Sequence, residues 1–98
     1  MPLSKSLPPG STIGILGGGQ LGRMTALAAA RLGYRCIIFA PEDHVVAAEV
    51  AAGHVRAAYE DTAALAGFAA QVDGVTYEFE NVPEAAVAEC LRHRPVRP

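Results

Sequence analysis

The chain has no tryptophan, only 6% aromatic residues and two methionines, and just 24 of its 98 residues are Ile, Leu, Val or Phe. Bulky side chains are too scarce to fill a core alone, although hydrophobic residues reach 51%. Nineteen alanines make up the difference, which implies close helix approach over small side chains. Neither sign of charge is in large excess: eight Lys and Arg stand against ten Asp and Glu, a formal net charge of -2. That excludes the basic footprint of a nucleic-acid binder, and 18% charged residues are too few for a disordered charged tail. No uncharged apolar run reaches the ~18 residues of a membrane-spanning helix. Met1 to Gly10 lacks the apolar stretch of a secretory signal. The two cysteines, Cys36 and Cys90, have no paired spacing and read as reduced, buried thiols of a cytoplasmic protein. A length of 98 residues is one domain, sufficient for one core and short for an enclosed two-substrate active site as well.

What is present is a repeated strand-then-helix pattern. Residues 1–11 carry three prolines and a glycine and read as a flexible N-terminal segment, so the domain proper is 12–98. Thr12 to Leu16 is a buried strand candidate that runs directly into Gly17-Gly18-Gly19. From Gln20 to Leu32 the pattern is helical, with Leu21, Met24, Ala28 and Leu32 on one face. Gly33 is a positive-φ helix stop, and Arg35 to Phe39 is a second strand. Asp43 is placed to cap a helix over His44 to Ala52, closed by Gly53 and followed by a short strand, His54 to Ala57. Asp61 or Thr62 caps a helix reaching Val72, and Val75 to Phe79 is a fourth strand. Pro83 opens a last helix ending near Arg92 to Arg94, and Arg94-Pro95-Val96-Arg97-Pro98 begins another extended segment. Such units with short links predict an α/β fold, a Rossmann-like doubly wound parallel sheet of at least four strands in the order 3-2-1-4.

Gly17-Gly18-Gly19-Gln20-Leu21-Gly22 satisfies G-x-G-x-x-G between a strand and a helix. Glycines permit a tight turn and close ligand approach, and the helix N-terminus offers unbonded N–H groups to anionic or polar atoms. A dinucleotide would need an acidic residue at the end of the second strand. Phe39-Ala40-Pro41 stands there, with Glu42 and Asp43 arriving late. That disfavours NAD, and no basic residue is present for NADP. A dinucleotide-binding domain nevertheless stays open as the alternative. Arg23, just inside the helix, can meet an anion or lie exposed.

The second signal is Tyr77-Glu78-Phe79-Glu80-Asn81. Carboxylates are costly in a parallel strand unless they face a site or partner. Period-two geometry puts Glu78 and Glu80 on one face. In the order 3-2-1-4 the first and fourth strands are neighbours, so the glycine loop and this acidic end flank one crevice. Two carboxylates repel phosphate, so the ligand beside them should present hydroxyls or an amine. His44, His54 and His93 share no metal-ligand spacing, and no metal site is expected.

Ile13 to Met24 (IGILGGGQLGRM) and Val75 to Pro83 (VTYEFENVP) together resemble the N-terminal domain of the 5-(carboxyamino)imidazole ribonucleotide synthase family, the ATP-grasp ligases of purine biosynthesis. The resemblance covers about Thr12 to Pro98. One departure stands at the second strand's end, where the family usually has Asp-Pro and this chain has Ala40-Pro41. The resemblance implies a reaction joining 5-aminoimidazole ribonucleotide to bicarbonate with ATP hydrolysed. Carboxyphosphate forms first, and the exocyclic amine captures its carboxyl group. It implies a pre-ATP-grasp domain here, with the ATP-grasp domain and a small C-terminal domain lying outside this sequence. The ATP and Mg²⁺ sites would lie there too, leaving no catalytic residue in these 98 positions. The implied substrate-binding set is Gly17, Gly18, Gly19, Gln20, Leu21, Gly22, Glu78, Glu80 and Asn81, with Glu80 bridging the ribose hydroxyls. It further implies a homodimer of the full-length enzyme and no activity for this part alone.

Overall fold

The computed structural model describes residues 7–77 and 82–97. Five strands form one parallel sheet: β1 (Thr12–Leu16), β2 (Arg35–Ala40), β3 (Gly53–Arg56), β4 (Gly74–Tyr77) and β5 (Val96–Arg97), in the order β3-β2-β1-β4-β5. The expected order 3-2-1-4 holds, and the extended ending pairs with β4 through Val75–Val96 and Thr76–Arg97. Three α-helices connect the strands: α1 (Gln20–Arg31), α2 (Thr62–Ala70) and α3 (Glu84–Leu91). Gly33 ends α1 at φ +90, and Asp61 caps α2 by accepting the Ala64 N–H at 3.0 Å. These local stops are the expected ones.

The sheet separates two cores. One face packs Leu16, Phe39, Val75 and Val96 against Leu65, Phe68, Ala86 and Cys90 of α2 and α3. Phe39 and Phe68, both fully buried, meet with ring centroids 5.3 Å apart. The other face packs Ile15, Cys36, Ile38 and Ala40 against Ala26 and Ala29 of α1 and against Val45 and Ala47. The cysteines thus lie in separate cores as free, buried thiols.

Two expectations are corrected. The face of α1 carrying Leu21, Met24, Ala28 and Leu32 points outward, with Leu21 67%, Met24 57% and Leu32 68% exposed. The buried face is Gly22, Ala26 and Ala29. Both faces are apolar, and the smaller side chains win the sheet because they let the helix axis approach closely. The helix expected over His44 to Ala52 is instead a single 3₁₀ turn, Val46–Val50. Tertiary ties override helix propensity here: the Ala47 N–H donates to Gly18 O at 3.1 Å and the Ala52 N–H to Cys36 O at 2.8 Å. Asp43 does not cap; it pairs with Arg56 at 2.7 Å, and Gly53 opens β3. Within the N-terminal segment, Leu7 is buried and accepts from the Tyr34 hydroxyl at 2.7 Å, and the Gly10 N–H donates to Gly33 O at 2.9 Å.

Candidate functional site

β1 ends at Leu16, whose register partners are Phe39 of β2 and Tyr77 of β4. The carboxyl ends of these three strands therefore stand side by side where the chain order reverses. This is the crevice in which open α/β sheets bind ligands. Gly17 leaves β1 with φ +112, a conformation that favours glycine, and its N–H donates to Phe39 O at 2.9 Å. Gly19 is the N-cap of α1, and its carbonyl receives the first intrahelical bond, from the Arg23 N–H at 3.0 Å. The Gln20 and Leu21 N–H groups precede that bond and have no acceptor among the described residues. They form the positive end of the helix. Gln20 is exposed and Gly22 is buried against the sheet. Arg23 is half-buried, with its Nε inaccessible and without a partner among the described residues.

Of the expected site residues, the structure thus places Gly17 to Gly22 together at the head of α1. Glu78, Glu80 and Asn81 lie outside the described residues. The chain is described up to Tyr77 and again from buried Val82. A groove of about 490 Å³ lined by Tyr77, Val82, Glu84, Val87 and Ala88 lies at this end of β4 and α3. No group of three or more His, Cys, Asp and Glu among the described residues converges as a metal site would require. The histidines are otherwise engaged: His44 with Glu49 at 3.2 Å, His93 with Glu89 at 3.1 Å, and His54 with Ala40 O at 3.2 Å.

Sequence reasoning missed Val45. A side-chain carbon built on Gly18 would stand 2.6 Å from Val45 Cβ and 2.7 and 2.8 Å from its two methyl carbons. Gly18 is therefore glycine to admit Val45. The available signal was that Gly18 occupies an unconstrained position of G-x-G-x-x-G, where the motif alone does not ask for glycine. Val45 and the fully buried Ala40 and Ala47 occupy the side of the loop toward β2. Dinucleotide folds hold the adenosine ribose there, so this flank argues against the alternative reading.

A family model for the ribonucleotide synthetase preATP-grasp domain matches residues 10–98. The chain belongs to this family. The preATP-grasp domain is 62% identical over 81 residues to N5-carboxyaminoimidazole ribonucleotide synthase of Brucella melitensis, a match covering 83% of this chain and 22% of that protein. Among solved structures it resembles N5-carboxyaminoimidazole synthetase of Staphylococcus aureus complexed with ADP, with a TM-score of 0.84 and 36% identity over 92% of this chain and 24% of that one. It also resembles the Aspergillus clavatus N5-carboxyaminoimidazole synthase in complex with ADP and 5-aminoimidazole ribonucleotide, with a TM-score of 0.75 and 33% identity. That match covers 90% of this chain and 24% of the other. The preATP-grasp domain spans about a quarter of the length of these proteins. No helix among its described residues is long and apolar enough to cross a membrane.

Proposed function

We propose that this preATP-grasp domain is the substrate-binding wall of an ATP-dependent ligase that carboxylates 5-aminoimidazole ribonucleotide with bicarbonate. The observation that carries the proposal is the glycine loop at the head of α1, adjoining the β4 end through the Leu16–Tyr77 register, in a chain whose family match runs over residues 10–98. In this reading the Gln20 side chain and the Leu21 N–H bind the ribonucleotide near its amine or ribose. Gly17, Gly18, Gly19 and Gly22 let the ligand approach the backbone. Glu80 bridges the ribose hydroxyls, with Glu78 and Asn81 completing the pocket. The sign of charge supports the assignment, since paired carboxylates favour a diol or amine and repel phosphate. In this reading ATP and Mg²⁺ are bound by parts of the enzyme beyond these residues. Glu80→Ala in a full-length synthase carrying this domain tests the reading. The Michaelis constant for 5-aminoimidazole ribonucleotide rises and that for ATP is unchanged; an unchanged constant for the ribonucleotide removes Glu80 from the pocket.

The reading includes a homodimer of the full-length enzyme, which the outer face of α1 supports. Leu21, Met24, Leu27 and Leu32 are 67%, 57%, 43% and 68% exposed, a stripe equally open at both ends. An antiparallel second copy lays each end on the opposite end of the other. At a rise of 1.5 Å per residue the two Arg31 side chains then start roughly 13 Å apart, beyond a Debye length at physiological salt. Met24→Glu with Leu32→Glu halves the mass seen by light scattering; an unchanged dimer mass rejects this face.

A further inference from the structure

The connection between β2 and β3 does more than join two strands. Residues 41–44 and Val46 are exposed, yet Val45 between them is 7% exposed and Ala47 is fully buried. Both are turned toward the glycine loop. Val45 fills the space that a side chain at Gly18 would need, at 2.6–2.8 Å. The Ala47 N–H bonds the Gly18 carbonyl at 3.1 Å. The connection is itself fixed at several points, by Ala52 N–H to Cys36 O at 2.8 Å, Asp43 to Arg56 at 2.7 Å and His44 to Glu49 at 3.2 Å. The loop is therefore held from two sides: Gly17 is bonded to Phe39 O at 2.9 Å and Gly18 is clasped by the connection.

We infer that residues 41–52 act as a strap that holds the glycine loop in its ligand-ready shape, with Val45 as a positioning residue. Three consecutive glycines lose more conformational freedom on ordering than any other tripeptide. A loop left to order on ligand arrival would take that cost out of the binding free energy, whereas a loop already clasped does not. The strap also sets the direction of approach. Its side of Gly18 is filled by Val45, so the ligand enters from the β4 side. This inference rests on the reading of Gly17 to Gly22 as a substrate loop, and it adds a residue that the loop motif does not contain.

The test begins with amide hydrogen exchange on the 98-residue chain. Val45→Ala removes two buried methyl groups, and exchange at Gly17, Arg23 and Ala47, whose N–H groups are bonded to Phe39 O, Gly19 O and Gly18 O, accelerates roughly tenfold while Ile15 and Leu16 in β1 keep their protection. Gly18→Ala, which drives a side chain into Val45, loosens the same amides, and adding Val45→Gly to it restores part of their protection. Unchanged loop exchange, or equal acceleration in β1, overturns the strap. In a full-length synthase carrying this domain, Val45→Ala raises the Michaelis constant for the ribonucleotide several-fold with turnover number and ATP constant unchanged. A loosened loop with an unchanged ribonucleotide constant overturns the positioning role. If Glu80→Ala still raises that constant, only the strap has failed; if Glu80→Ala is silent too, the substrate reading has failed with it.

Discussion

Gly14 lies at the centre of β1 and cannot accept a side chain without moving the core. A carbon added there would stand 2.5 Å from Cζ of Phe68 and 3.1 Å from each Cε. Carbon atoms rest at about 3.5–4.0 Å, so the ring must retreat by about 1 Å. It has no open space to enter: Phe68 is fully buried, with Phe39 at 5.3 Å and Leu65, Val72 and Val75 in the same cluster. Overpacking of this kind costs about 1–3 kcal/mol. The φ of Gly14 is not positive, so alanine suits the backbone and recovers about 0.4–1 kcal/mol of chain entropy. Gly14→Ala should therefore destabilise the domain by roughly 1–2 kcal/mol, lowering Tm by about 4–16 °C in a chain of this size. Thermal unfolding followed by circular dichroism gives the number. Phe68→Leu in the same chain should relieve the clash, so the double variant loses less than the two single losses combined. A Gly14→Ala protein melting within about 2 °C of the parent would show that the ring is not confined as described.

Two further outcomes follow from the core and a cap. The Cys90 thiol is pushed up from 9.0 to about 11, by burial first and by Glu89 second. The folded state then keeps a proton that the unfolded chain releases, so stability holds below about pH 8 and falls as pH rises from 9 toward 11, by about 1.4 kcal/mol per unit. Urea unfolding at pH 8 and pH 10.5 should show this loss in the parent and a smaller one in Cys90→Ala; equal losses would place the alkaline sensitivity elsewhere. Asp61→Ala deletes the acceptor for the Ala64 N–H at 3.0 Å and should cost about 1 kcal/mol in the same assay, while Asp61→Asn retains most of it.

Much of the architecture was legible because its signals are local. A β-branched run meeting three glycines marks the end of β1 and the head of α1, Gly33 marks the end of α1, and Asp61 marks the start of α2. The strand order followed from the handedness of crossovers rather than from any single residue. Long-range choices were not legible. Spacings of three and four picked out the bulkier face of α1, Leu21, Met24, Ala28 and Leu32, whereas the face with less bulk, Gly22, Ala26 and Ala29, is the one buried. His44 to Ala52 has the composition of a helix, but bonds to Gly18 and Cys36 hold it down as one 3₁₀ turn. Of the candidate site, the glycine loop could be read from its motif. The role of Gly18 could not, because its reason is Val45, 27 residues later in the chain. The acidic half, Glu78 to Asn81, lies outside the described residues and is argued from the sequence alone.

In the proposed reading these 98 residues form one wall of a ligase active site and are not a ligase by themselves. ADP formation measured with 5-aminoimidazole ribonucleotide, bicarbonate and Mg²⁺–ATP tests it most directly, comparing the isolated chain with a full-length synthase that carries it. The expected result is turnover by the full-length protein that depends on both the ribonucleotide and bicarbonate, and none by the isolated chain. Substrate-dependent ADP formation by the isolated chain, or a full-length protein indifferent to the ribonucleotide, would contradict it.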